Sequence, residues 1–79
     1  MTSEQLRILG DQMDKLDDEL YTAQRAGHVS AQVAALRERA RCWREWAAHL
    51  EKAGRDSYGA ILAAQRDETH ALQLEGGAR

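Results

Sequence analysis

Leu6, Leu9, Met13, Leu16, Leu20 and Ala23 recur at steps of three and four residues. After a break at Gly27–His28 the same beat returns as Val33, Leu36, Ala40, Trp43, Ala47 and Leu50. Such steps place side chains on one face of an α-helix, so each stripe predicts a helix that must bury that face. Two stripes of equal length joined by a short polar link predict an antiparallel, coiled-coil-like hairpin. Folding the chain back at residue 28 sets Leu20 against Leu36, Leu16 against Ala40 and Met13 against Trp43. It also sets Leu9 against Ala47 and Leu6 against Leu50.

Local signals place the boundaries. Thr2 and Gln5 have the spacing of a capping box, and Gly27 supplies a left-handed residue after a helix over 3–26. Ser30 is the expected N-cap of a second helix over 31–53, which Gly54 would end. Asp56 or Ser57 would cap a third helix over 57–74, with 76–79 as a flexible tail. A single long second helix is the alternative, since the stripe continues in frame through Gly54, Ser57, Ile61 and Ala64. The glycines would soften it by about 1 kcal/mol each. Gln65, Glu68 and Thr69 make the third segment the poorest core element. The expected fold is all-α: one domain over residues 1–75, either a small three-helix bundle or a dimeric four-helix bundle.

Composition narrows the class. The chain has 79 residues, one cysteine and no proline or phenylalanine, so no internal disulfide can form and helix is favoured over sheet. A core this small supplies only about 3–5 kcal/mol by itself, which favours a third contact surface. The net charge of −2 argues against a dedicated nucleic-acid binder. No apolar run approaches a membrane span, and the N-terminus lacks a signal-peptide pattern, so the expectation is a cytoplasmic protein with no membrane contact. Nine arginines against two lysines, with many alanines, suggest a GC-rich genome and a bacterial or phage source.

Charge is uneven. Residues 1–26 hold six acids and three bases, whereas residues 31–53 hold three acids and five bases. In the folded-back register Asp17 faces Arg37 and Glu19 faces Arg39, pairs that would set orientation. Arg37, Arg41 and Arg44 form a basic stripe that could meet an anionic partner, although Glu38 and Glu45 interrupt it. Ala35, Cys42 and Trp46 form a second apolar stripe on helix two. A helix apolar on two adjacent faces touches two neighbours, here helix three or a second chain. With Tyr58 and Leu62, which define a separate face on the third segment, they are the candidate interface. Ile8 lies off the first stripe and adds apolar surface.

Catalytic chemistry finds no support. His28, His49 and His70 lie twenty-one residues apart without wider self-similarity, which on straight helices separates them by about 30 Å. Cys42 has basic neighbours but no partner placed by the sequence, and Asp14, Asp17, Asp18 and Glu19 lack the glycine of a calcium loop. No cofactor or metal is expected, and no enzyme. The expected role is a protein–protein interaction module: an adaptor, an assembly factor or a phage-type inhibitor of a host protein, with homodimerisation. A nucleic-acid-associated regulator using the basic stripe and a self-assembling structural subunit are the alternatives.

Overall fold

The computed structural model describes residues 2–77 as three helices, α1 (Ser3–Ala26), α2 (Val29–Lys52) and α3 (Tyr58–Gly77). The all-α expectation holds, and the third helix is separate. At the start of α1, Thr2 accepts a hydrogen bond from the Gln5 backbone N–H at 3.2 Å. The Gln5 side chain in turn accepts from the Thr2 N–H at 2.7 Å, so two otherwise orphaned donors are satisfied. Both interhelical links use one device. Gly27 (φ 67) and Gly54 (φ 72) take the left-handed conformation. The next residue's N–H then reaches back five residues, His28 to Ala23 at 2.9 Å and Arg55 to Leu50 at 2.8 Å.

Three boundaries differ from the sequence reading. The N-cap of α2 is His28 rather than Ser30: its Nδ1 accepts from the Ala31 N–H at 3.1 Å, so the helix starts at Val29. At its other end α2 stops at Lys52, since Gly54 turns the chain. Gly76 and Gly77, expected in the tail, close α3, while Ala78 and Arg79 lie outside the described residues. Asp56 and Ser57 share the entry to α3. Asp56 accepts from the Tyr58 N–H at 2.9 Å, and the Ser57 hydroxyl donates to Glu51 at 2.9 Å.

The helices form one layer with α2 in the middle. α1 and α3 each pack along α2, and their backbones do not approach one another among the described residues. The layer measures 42 × 21 × 12 Å. Its radius of gyration, 13.5 Å, exceeds the roughly 11.6 Å of a compact chain of this length. Two apolar clusters hold it. Leu20 of α1, Val33 and Leu36 of α2, and Ala71 with Leu74 of α3 meet near one end, and Leu36 is fully buried. Leu9 and Leu16 of α1 pack on Cys42, flanked by Met13 and Trp46.

This second cluster reverses the assignment of faces on α2. Ala35, Cys42 and Trp46 were expected to meet α3 or another chain, but Cys42 and Trp46 pack against α1. The side bearing Arg37, Ala40, Arg44 and Ala47 faces α3 instead, where Arg44 bonds Glu68 at 2.8 Å and Arg37 pairs with Glu75. Side-chain size decides the exchange. Cys42 and Trp46 fill the space beside the large residues of α1, whereas α3 presents the buried alanines 60, 64 and 71. Small residues on both sides let α2 and α3 approach closely.

Candidate interaction surface

α3 buries mainly small residues, with Leu74 half-buried against the core. Its buried face is Ala60, Ala64, Asp67 and Ala71. The large apolar residues Tyr58 and Leu72 are 67% and 63% exposed, and Leu62 is half-buried. Tyr58, Leu62, Gln65, Thr69 and Leu72 follow steps of four and three, so they form one outward ridge opposite the alanine face. Two of the five expected interface residues, Tyr58 and Leu62, lie on this ridge. The other three sit elsewhere: Ala35 and Cys42 are buried within the layer, and Trp46 is half-buried against the α1 cluster. Leu72 was missed because its place on the ridge follows only from the α3 register.

The alanine face of α3 gives few dispersion contacts per residue, and a polar clamp supplements it. Asp67 is buried, and Arg39 grips it with two hydrogen bonds of 2.7 Å, Nε to Oδ2 and Nη2 to Oδ1. The remaining Nη1 donates to Asp17 of α1 at 2.7 Å. One planar guanidinium thus ties all three helices. Hydrogen bonding to Asp67, opposed by partial burial and reinforced by Asp17, holds Arg39 protonated far above its ordinary range. Its contribution would be lost only at pH above that range, so this guanidinium adds no pH dependence under working conditions. The expected pairs Asp17–Arg37 and Glu19–Arg39 are replaced by Asp17–Arg39 and Arg37–Glu75. The antiparallel fold carries Arg37 to the α3 side, out of reach of α1.

All three residues of the basic stripe have carboxylate partners. Arg37 pairs with Glu75, Arg44 with Glu68, and Arg41 lies between Glu38 and Glu45 on its own helix. The hydrogen bond from Arg41 holds the Glu38 carboxyl below its ordinary value. An incoming phosphate would therefore compete with pairs already made.

Cys42 is fully buried, and burial raises its thiol above the ordinary value of 9.0 despite nearby Arg41. The thiol is thus neutral and shielded, which suits packing rather than nucleophilic chemistry. Alkylation by a maleimide at neutral pH is expected to run about 100-fold slower than for an unfolded control peptide and to recover in urea. Equal rates in both would mean that the α1–α2 contact is open. The sign of the pH effect follows. Stability from the protonated thiol is complete below about pH 9 and is lost as the pH rises through the raised value.

Of the histidines, His28 serves as a cap, and His49 and His70 are half-buried. Among the described residues no three His, Cys, Asp or Glu side chains gather to hold a metal ion. No described helix is long and apolar enough to cross a membrane. Comparison with protein-family models, curated proteins and solved structures finds no match.

Proposed function

We propose that this chain is a non-enzymatic protein–protein interaction module that binds its partner through the outer ridge of α3. The observation that carries the reading is the outward ridge on that helix: Tyr58 and Leu72 are exposed and Leu62 is half-buried, opposite a buried face of alanines to which Leu74 adds a large apolar contact. A helix stabilised only within this chain would gain more by turning its large residues toward α2, since burying a leucine contributes about 1.5–3 kcal/mol. Leaving them outside at i, i+4 and i+14 of one helix face matches helix-in-groove recognition, with Tyr58 and Leu72 as anchors. Arg66 and His70 flank the ridge and give it a polar rim. An adaptor, an assembly factor or a small inhibitor of another protein would each use such a surface. The carboxylate partners of Arg37, Arg41 and Arg44 favour the protein-binding reading over the nucleic-acid one, since an anionic partner would have to displace them.

The test is affinity capture with the full chain as bait, compared with a Leu62→Asp, Leu72→Asp variant. Both positions lie outside the buried core, so helicity and melting temperature are expected to hold while capture falls at least about 100-fold. A partner retained equally by the variant would sink the ridge as the binding surface. Binding of DNA or RNA that weakens steeply with salt, and is lost on Arg41→Glu, would favour the regulator instead.

A further inference from the structure

We propose that the broad face formed by α1 and α2, away from the Arg39 clamp, is an interface between two copies of this chain related by a two-fold axis. This surface is separate from the α3 ridge. A groove of about 890 Å³ runs between α1 and α2, with Leu16, Ala23 and Ala35 buried beneath it and Lys15, Asp18, Glu19 and Glu38 along its rims. Ile8, which is 55% exposed, extends the same face toward the open end of the hairpin.

The case for a second copy is that each helix face is complementary to itself when reversed. On α1 the face reads Ile8, Gln12, Lys15, Glu19, Thr22, Ala26, and its pairs 8/26, 12/22 and 15/19 all centre on residue 17. On α2 it reads Ala31, Ala34, Glu38, Arg41, Glu45, Ala48, whose pairs 31/48, 34/45 and 38/41 centre between residues 39 and 40. Asp17 and Arg39 are hydrogen-bonded at 2.7 Å, so both centres lie at one level of the layer. A single two-fold axis at that level, in the plane of the face and across the helices, satisfies both at once. It brings Lys15 of one protomer to Glu19 of its partner and Glu38 to Arg41. It also sets Ile8 over Ala26 and the long Glu45 over Ala34. Such an isologous contact is the commonest route to a closed dimer.

The areas agree. The chain exposes 5437 Å², against about 4,800 Å² for a compact monomer of its mass. The 42 × 21 Å outline encloses roughly 900 Å², most of it over α1 and α2, and a standard interface takes about 600–1,000 Å² from each partner.

The experiment is light scattering on the full, reduced chain over a hundredfold concentration range, with two charge variants. Wild type is expected to reach twice the 8.9 kDa chain mass. Glu38→Arg alone sets arginine against Arg41 across the axis, and Arg41→Glu alone sets glutamate against Glu38. Each is expected to weaken the dimer roughly 10- to 100-fold. An equimolar mixture of the two is expected to recover the dimer, because each arginine then meets a glutamate of the other chain. Rescue by mixing cannot come from repair within one helix. Circular dichroism of the Glu38→Arg, Arg41→Glu double variant, which keeps the intrahelical pair reversed, checks that the fold survives. A wild-type chain that stays at 8.9 kDa throughout, single variants that dimerise like wild type, or a mixture that stays monomeric would each overturn the proposal. A monomer that still binds another protein through the α3 ridge would overturn it while leaving the proposed function standing.

Discussion

An aspartate at Leu16 is expected to unfold the chain. Leu16 is 6% exposed and packs with Leu9 and Cys42, flanked by Met13 and Trp46. The substitution removes about 2–3 kcal/mol of apolar burial. It also places a carboxylate where no described cation is hydrogen-bonded to receive it, a further penalty of several kcal/mol. A domain of this length has only about 4–12 kcal/mol in total. The measurement is circular dichroism at 222 nm during a thermal melt. Loss of the cooperative transition is expected, and the same substitution at exposed Leu72 should leave it nearly unchanged. A Leu16→Asp chain that melts like wild type would mean that α1 does not bury this face.

Replacing Arg39 by alanine is expected to cost about 2–4 kcal/mol, more than any of the exposed ion pairs. The cost comes from what remains: Asp67, 7% exposed, loses both hydrogen bonds from the guanidinium. Asp17→Ala should cost only about 0–1 kcal/mol, because that carboxylate is 57% exposed. A paired change, Arg39→Met with Asp67→Leu, should recover most of the loss by replacing a clamped ion pair with apolar contact. Urea unfolding midpoints of the four chains read this directly. Equal midpoints for Arg39→Ala and wild type would show that the alanine contacts alone hold α3 on α2.

What the sequence made legible was local or periodic. The Thr2–Gln5 box, the Gly27 and Gly54 turns and the burial of Leu9, Leu16, Leu20 and Leu36 all rest on a residue's own neighbours or on helical spacing. The cap at His28 was not legible, because serine is the commoner cap and Ser30 stands two residues on. Nor was the choice of neighbour for each face of α2, since two apolar stripes side by side fit either partner. It took the sizes on α1 and α3 to assign Cys42 and Trp46 to one and the alanine side to the other. The clamp was hidden for a related reason. Asp67 reads as a solvated residue until the α3 register turns it toward Arg39. On the candidate surface, Tyr58 and Leu62 were found by their offset from the main stripe, and Leu72 was concealed by the polar residues between.

The backbones of α1 and α3 do not approach one another among the described residues, which bears on how the molecule comes apart. Among the described residues backbone packing runs only between chain neighbours, so apart from the shared cluster of Leu20, Ala71 and Leu74 on α2 the molecule resembles a short linear array with two joints. Either outer helix can detach while the remaining pair keeps its contacts. Contacts between adjacent segments also keep loop-closure costs low, which places folding in the microsecond-to-millisecond range of helical domains. A partner that seizes α3 could therefore draw it away from α2 and leave the α1–α2 hairpin folded behind it.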